Sequence, residues 1–342
     1  MTAAMPAGET RIWTTLDFEQ DGKQHGFLRL PFSSDLSAYG TIPIPITCIR
    51  NGDGPTALLI AGNHGDEYEG QIALSKMARQ IGPADVRGRI IILPALNYPA
   101  VAAGRRLSPL DEGNLNRLFP GKVNGTPTEM IAHYLVSVLL PLSDLVIDLH
   151  SGGRSLAYYP CCLIRNGGKE AETARLVELM KIFGAPIGSI SDGSGGGAST
   201  TLSAAAQSCG VPALTAELGG GGGVSHTGEA IATQGIRRVL RHIGTLPDLE
   251  TKPPPPVRLM RVEGKDAFIY APCHGIFERC VEIGDSVHAG QCAGYIHPVE
   301  GAHRPTEAIY FTRPGFVACC RFPALTKLGD CLFKVLSDIE RP

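Results

Sequence analysis

His64 and Glu67 are residues whose types and spacing could hold a metal ion. They form an H-x-x-E pair inside the phrase GNHGDEYEG, and a third candidate ligand, His150, ends the apolar run DLVIDLH. Hydrolytic zinc sites commonly take three protein ligands and leave a fourth position open for water, and two His plus one Glu is one such set. By itself, H-x-x-E in a loop is also compatible with a solvated polar turn. Together the three residues predict a single-zinc hydrolytic site.

These residues need a scaffold that brings distant parts of the chain together. From about Thr56 onward, apolar runs alternate with helix-like stretches, which indicates an α/β sheet. The predicted strands are Thr56–Asn63, Arg89–Asn97, Asp144–His150 and Val211–Leu218, and a helix is predicted over Glu69–Gln80. In open α/β sheets, ligands bind beyond the carboxyl ends of the strands. The three metal candidates and Glu217 all fall at such ends.

Asp148 stands two residues before His150 in the same predicted strand. Side chains of a strand alternate between its two faces, so both side chains point to one face. Asp148 is therefore predicted to accept a hydrogen bond from the histidine and orient it, although a role in a cap or turn is equally compatible with the pattern.

A domain boundary is predicted at Pro253–Pro256, because four consecutive prolines favour an extended spacer over a helix or a central strand. Beyond it, short alternating runs punctuated by glycine indicate a small antiparallel β domain, and the G-D-x-V-x-x-G-Q pattern resembles barrel-sandwich carrier domains. A carrier needs an acceptor lysine, and none occurs between Lys265 and Lys327. We therefore expect a structural or gating domain. The predicted divisions are an N-terminal β-rich segment (1–50), a catalytic domain (51–250), a Pro-rich linker (251–257) and the C-terminal β domain (258–342).

The composition favours a small-molecule partner. Among 342 residues, 31 Lys and Arg stand against 33 Asp and Glu, giving a formal net charge of −2. This balance predicts no general attraction to nucleic acid or to an anionic membrane. The sequence has no signal-like start and no apolar run of membrane-spanning length, so we expect a cytoplasmic protein. Its ten cysteines form no C-x-x-C unit and are predicted to be reduced thiols.

Longer motifs make the metal site more specific. GNHGDEYEG, NYPAVAAGRRLSPLDEGNLNRLFPG, DLHSGG and TAELGGG occur in this order between Ala57 and about Gly244. In this combination the chain resembles the succinylglutamate desuccinylase and aspartoacylase family, which is related in fold to the zinc carboxypeptidases. The resemblance implies a mixed sheet flanked by helices, one Zn²⁺ per subunit held by His64, Glu67 and His150, and a homo-oligomer.

The resemblance also implies roles around the metal. Asn116 and Arg117 would bind the α-carboxylate of the substrate, and Glu217 would be the general acid/base. Chemistry supports these roles, because a guanidinium matches a carboxylate with two hydrogen bonds and a glutamate can move a proton to the leaving amine. A second cation is needed where negative charge develops on the scissile carbonyl. Arg106 is assigned to it; the adjacent Arg105 remains an alternative, and both could instead form a solvated surface pair.

The substrate is predicted from the nearest branch of the family. The opening KQHGFLRLPFSSDLSAYGTIPIPI and the motifs above most resemble bacterial N-acetyl-diaminobutyrate deacetylases of ectoine breakdown. The expected products are L-2,4-diaminobutyrate and acetate, and Asp111, Glu112 and Asp192 are candidate partners for the side-chain ammonium. The alternatives are an aspartoacylase, a succinylglutamate desuccinylase and a zinc carboxypeptidase. A non-catalytic protein of the same fold would be expected to have lost part of this residue set.

Two other features are weighed against the metal site. Gly193–Ala198 reads G-S-G-G-G-A and fits a dinucleotide fingerprint, but no apolar strand leads directly into the glycines, so an active-site loop is the preferred interpretation. His226 follows a run of five glycines and is predicted to be an exposed loop histidine, not a ligand.

Overall fold

The computed structural model describes residues 9–166, 169–191, 193, 199–262, 264–301 and 303–339. Asp192 and the G-S-G-G-G-A motif beyond Gly193 lie outside these residues. The helices are α1 (Tyr68–Gln80), α2 (Tyr98–Ala103), α3 (Pro127–Tyr134), α4 (Glu170–Phe183), α5 (Leu202–Ser208) and α6 (His226–His242). Short helical turns cover Pro83–Asp85, Leu115–Arg117, Leu135–Leu139, Leu140–Leu142 and Lys265–Ala267. No helix in the described ranges is long and apolar enough to cross a membrane.

The strands occupy both the central region and the C-terminal part of the chain. They are β1 (Gly22–Pro31), β2 (Thr41–Asn51), β3 (Thr56–Ala61), β4 (Gly88–Leu93), β5 (Leu145–His150), β6 (Leu156–Tyr158), β7 (Cys161–Arg165), β8 (Ile187–Ser191), β9 (Ala213–Glu217), β10 (Arg258–Val262), β11 (Phe268–Tyr270), β12 (Gly275–Arg279), β13 (Ser286–Val287), β14 (Cys292–His297), β15 (Glu307–Tyr310), β16 (Gly315–Arg321), β17 (Leu325–Thr326) and β18 (Cys331–Asp338).

A large mixed sheet organises the molecule. Within the described residues it has 14 strands in the order β1-β2-β4-β3-β5-β9-β7-β8-β10-β18-β16-β13, with β11 beside β18 and β6 beside β16. Strands β4, β3, β5 and β9 run parallel at its centre. They correspond to the four predicted strands, differing by a few residues at their ends. Because β3, β5 and β9 are parallel neighbours, their carboxyl ends lie at one edge of the sheet, where the candidate residues meet.

Helices cover both faces of the central strands, as the predicted α/β class requires. On one face α1, α4 and α6 bury apolar side chains such as Leu74, Met180 and Ile236 against the sheet. On the other face, α3, α5 and the β1–β2 hairpin pack together around Leu28 and Ile131. The central strands are apolar along their whole length because both of their faces are covered. The mixed sheet with flanking helices is thus confirmed.

The C-terminal region forms a second, smaller sheet. Strands β15, β14, β12 and β17 are antiparallel. They pack against β16 and β18 around Phe277, Phe311 and Phe333, whose rings lie 5.3 to 5.6 Å apart. This confirms the small sandwich-like β unit.

The predicted spacer precedes this unit. Pro253–Pro256 are exposed and lie outside helices and strands. Immediately after them, β10 pairs in parallel with β8, so the large sheet continues across the predicted boundary. The division of the chain into separate domains stays a prediction.

Gly65 determines how closely the loop between β3 and α1 approaches its neighbour. A Cβ atom at this position would overlap the backbone carbonyl of Ala100 in α2. The Gly65 amide also donates to the carbonyl of Arg105, at 2.9 Å. Only a residue without a side chain permits this approach, and the loop carries His64 and Glu67.

Gly65→Ala should therefore both destabilise the protein and displace the loop. Forcing an extra methyl group against packed backbone costs about 1–3 kcal/mol of unfolding free energy. Urea unfolding measures this loss, with Gly223→Ala as the matched control because a Cβ at Gly223 would meet no atom within 4 Å. Equal stability of the two variants would contradict the proposed packing constraint.

Candidate active site

Glu67 connects the two candidate histidine ligands. Its Oε1 lies 2.7 Å from Nδ1 of His64, and its Oε2 lies 2.8 Å from Nδ1 of His150. All three side chains are almost completely buried. His64 and Glu67 come from the loop after β3, and His150 is the last residue of the adjacent strand β5. His64 and His150 are 86 positions apart in the sequence. The structure brings them and Glu67 together as one group whose ligand atoms lie within 4.8 Å of one another.

The second nitrogen of each histidine has its own hydrogen-bond acceptor. Nε2 of His64 donates to Oδ1 of Asn114 at 3.1 Å, and Nε2 of His150 donates to Oδ2 of Asp148 at 2.9 Å. Such partners fix the ring orientation and direct the other nitrogen, Nδ1, toward a metal. The hydrogen bond predicted for Asp148 is confirmed. Asn114 was not identified from the sequence, although it stands just before the L-N-R phrase.

The electrostatics of this cluster favour a positive charge at its centre. Burial disfavours the ionised form of Glu67, yet the two histidines hold the pKa of its carboxyl well below the usual range. Burial also disfavours a charged His150, but Asp148 and Glu67 outweigh it and raise the pKa of that imidazole well above its usual value. By contrast, burial lowers the pKa of His64. Two buried carboxylates around one imidazole require a cation, which a proton or a metal ion can supply.

The adjacent arginines point in different directions. Nη1 of Arg106 lies 3.2 Å from Oε1 of Glu67 and lines the cavity beside the cluster. Arg105 instead pairs with Glu112 in solvent, at 2.7 Å. Of the two alternatives left open by the sequence, the structure brings Arg106 to the candidate metal ligands.

Asn116 and Arg117 lie in the helical turn Leu115–Arg117 and both line the same cavity. Oδ1 of Asn116 accepts a hydrogen bond from the Leu202 amide at 2.9 Å, which ties this turn to the start of α5. Burial, and then the nearby Arg106, lower the pKa of the Arg117 guanidinium. No carboxylate of the described chain forms an ion pair with Arg117, so a half-buried positive charge is available to an anionic ligand.

Glu217 ends β9 directly beside His150, its register partner on β5. It lines the cavity, and its Oε2 is buried without a hydrogen-bond partner among the described residues. Burial, together with the negative Glu67, raises the pKa of Glu217 to about 8. A carboxyl group whose pKa lies near neutrality can both accept and donate a proton.

These residues surround one cavity of about 410 Å³. The described carboxylates that line it are Glu67, Asp148 and Glu217. Two of the acids considered for a substrate ammonium do not reach it. Asp111 accepts hydrogen bonds from Thr128 and Gly113, and Glu112 is the surface partner of Arg105. The third acid, Asp192, lies outside the described residues.

Other lining residues were missed by sequence reasoning. Tyr158 from β6, Phe268 from β11 and Lys334 from β18 form part of the cavity wall. No sequence motif marks the strands in which they lie. His226 is exposed, as predicted, but it is the first residue of α6 and does not lie in a loop. It does not line the cavity.

The buried cluster fits a zinc ion chemically. Two imidazole nitrogens and a carboxylate are a ligand set used by hydrolytic zinc sites, and both histidines have the outer hydrogen-bond partners typical of metal ligands. His64, Glu67 and His150 are the group of potential ligands that the described residues offer.

The chain is similar to proteins of known family. Residues 53–243 match the model of the succinylglutamate desuccinylase/aspartoacylase catalytic domain. The chain is 40% identical over 329 residues to an N-alpha-acetyl-L-2,4-diaminobutyric acid deacetylase of Halomonas elongata, covering 96% of each chain. The product-bound ectoine utilization protein EutE (DoeB) from Ruegeria pomeroyi has a TM-score of 0.93 at 40% identity, covering 96% of this chain and 99% of that one.

A succinylglutamate desuccinylase/aspartoacylase from Rhodobacter sphaeroides is also similar, with a TM-score of 0.91 at 38% identity, covering 96% of this chain and 100% of that one. The family matches more than half of the chain, and these relatives match almost its whole length. The resemblance drawn from the motifs is therefore confirmed. The chain belongs to the succinylglutamate desuccinylase/aspartoacylase family and is an amidohydrolase.

Proposed function

We propose that this protein hydrolyses N-α-acetyl-L-2,4-diaminobutyrate to L-2,4-diaminobutyrate and acetate, with one Zn²⁺ per subunit held by His64, Glu67 and His150. The observation that carries the proposal is the single cavity in which the buried cluster faces Glu217 and Arg117. Near-full-length similarity to a deacetylase of this substrate supports the choice of acyl amino acid. Similarity to the ectoine utilization protein EutE (DoeB) supports a place in ectoine catabolism.

Each residue has a distinct part in this reaction. Bound zinc would supply Lewis-acid polarisation and a water that is acidic enough to react at neutral pH. Arg117 and Asn116 would bind the α-carboxylate and so place the scissile amide over the cluster. Glu217 would accept the proton of the attacking water and return it to the leaving nitrogen. Arg106 would stabilise the negative charge that develops on the carbonyl oxygen.

One observation favours a second candidate function. The described carboxylates that line the cavity, Glu67, Asp148 and Glu217, are all assigned to the proposed zinc site, so none is left for a side-chain ammonium. Such a cavity suits a substrate with an anionic side chain, such as N-acetylaspartate, better than one with an ammonium group. We therefore keep an aspartoacylase-type reaction as the alternative. The relative activity on the two substrates separates them.

We also propose a cytoplasmic location and, by family resemblance, a homo-oligomer. All ten cysteines are free thiols, including the exposed Cys209 and Cys280. Free thiols are typical of a reducing compartment. Sedimentation analysis of the purified protein would determine the oligomeric state.

The proposed substrate and base are tested together. The zinc-loaded protein should hydrolyse N-α-acetyl-diaminobutyrate with a higher kcat/KM than N-acetylaspartate, succinylglutamate or a dipeptide.

Glu217→Gln should lower kcat by roughly 100- to 10,000-fold, because proton transfer by a positioned group contributes that much. Release of the free amine measures both. Glu250→Gln, on the surface, is the control. If dipeptides were hydrolysed faster than any N-acyl amino acid, the protein would be a carboxypeptidase instead. A kcat of Glu217→Gln close to that of the wild type would refute the role of Glu217.

Substituting a proposed zinc ligand should weaken zinc binding more than substituting a residue that only hydrogen-bonds to a ligand. His150→Ala removes a ligand and should abolish stoichiometric zinc. Asn114→Ala removes only the acceptor of His64 and should weaken zinc binding by about 10- to 100-fold. Competition with a fluorescent chelator measures both affinities without any turnover. His288→Ala, an exposed histidine, should bind zinc like the wild type. Stoichiometric zinc in His150→Ala would overturn the assigned site.

Arg117→Lys tests the carboxylate contact. The substitution keeps the charge but loses the planar pair of donors, so KM for the N-acyl amino acid should rise about tenfold or more. Arg105→Lys is the matched control, because Arg105 faces solvent in the same segment. Steady-state kinetics of both variants give the comparison. Equal KM values would remove Arg117 from the substrate site.

A further inference from the structure

Lys334 is a buried lysine in the wall of the catalytic cavity. It lies in β18, outside the segment 53–243 that matches the family's catalytic domain, and its exposed fraction is 8%. It lines the same cavity as His150 and Glu217. The C-terminal region therefore contributes a charged side chain to a cavity whose other charged groups come from the catalytic segment.

The surroundings of Lys334 are mainly aromatic and apolar. Its Nζ lies 5.8 Å from the centre of the Tyr158 ring. Across the sheet, Lys334 on β18 is in register with Cys319 on β16, which is in register with Tyr158 on β6. Phe268 is its register partner on β11. No ion pair joins Lys334 to a carboxylate in the part of the chain that the structure describes.

A buried ammonium in such surroundings needs an anion. A cation–π contact contributes only about 0.5–2 kcal/mol, which is less than the cost of removing an ammonium ion from water. The positive charge of Lys334 lowers the pKa of Glu217, but the two side chains form no ion pair in the described structure. The positive charge is therefore left largely uncompensated until a ligand enters.

Arg117 is a second such cation in the same cavity. Both side chains line this cavity of about 410 Å³, and neither is paired with a described carboxylate. An anion that enters the cavity would be attracted to both.

We propose that Lys334 is a substrate-binding residue that holds the α-carboxylate of the N-acyl amino acid together with Arg117. This inference rests on the proposed function, because the α-carboxylate is the one anionic group that every N-acyl amino acid carries. The C-terminal sheet then completes the substrate site. Lys334 selects acids over the corresponding amides, whatever the side chain is.

The experiment compares Lys334→Met with the wild type on two substrates, N-α-acetyl-diaminobutyrate and its α-carboxamide, which lacks the anion. Loss of a charged hydrogen-bond donor should raise KM for the acid about tenfold or more and leave KM for the carboxamide nearly unchanged. The preference for the acid should therefore fall by the same factor. Lys334→Arg should retain most of that preference.

Controls separate binding from folding. Lys327→Met removes an exposed lysine of the same region and should behave like the wild type. Melting temperature and zinc content establish that Lys334→Met is folded and loaded. Calorimetric binding of both compounds to Glu217→Gln, with and without Lys334→Met, gives the acid/amide ratio without turnover.

Three outcomes would overturn the inference. An unchanged acid/amide preference in a folded Lys334→Met would remove the lysine from the carboxylate site. An equal fall of kcat on both compounds would show that Lys334 acts through Glu217 instead. If the wild type neither binds nor hydrolyses any N-acyl amino acid, the proposed function itself fails, and the Lys334 inference fails with it.

Discussion

The site depends on the Glu67 carboxylate, which lies between two imidazoles in a nearly solvent-free position. Its oxygens are 2.7 and 2.8 Å from Nδ1 of His64 and His150, and Oε2 also accepts the Ser151 amide at 3.1 Å. A buried carboxylate is costly unless its charge is balanced and its oxygens are hydrogen-bonded. The cluster therefore needs a positive charge at its centre, which a proton or a metal ion can supply. Its two imidazoles and one carboxylate are placed so that they could hold a metal ion there.

The sheet fixes the relative positions of the residues that form this cluster. Strands β3, β5 and β9 are parallel neighbours, so the residues at their carboxyl ends meet without any long connection between them. His150 and Glu217 are register partners at the ends of two of these strands, which holds the proposed ligand and base at a set separation. Only the loop with His64 and Glu67 is irregular, and close packing of Gly65 on Ala100 restricts it. Placing catalytic groups on rigid strands keeps the distances between them fixed.

The sequence predicted those parts of the site that local patterns describe. Apolar runs ending in polar residues located His150 and Glu217, and period-two alternation placed Asp148 on the face of His150. It did not separate Arg105 from Arg106, because adjacent residues differ only in tertiary contacts: one meets Glu112 in solvent and the other meets Glu67. Asn114 and Lys334 were missed for a related reason. Their importance depends on which distant residue they face, and neither type nor spacing encodes that. The continuity of the large sheet across Pro253–Pro256 was also beyond local pattern, since strand pairing is a long-range property.

The charges of the cavity are unevenly distributed, and this distribution constrains the reaction. Carboxylates of Glu67, Asp148 and Glu217 lie around the histidines, whereas Arg117 and Lys334 line the same cavity and have no carboxylate partner among the described residues. An N-acyl amino acid has a neutral amide next to a carboxylate, so it could place the amide at the cluster and its anion toward these two cations. A simple amide lacks the anion and would leave both cations unbalanced. This distribution of charge would therefore favour N-acyl amino acids over simple amides.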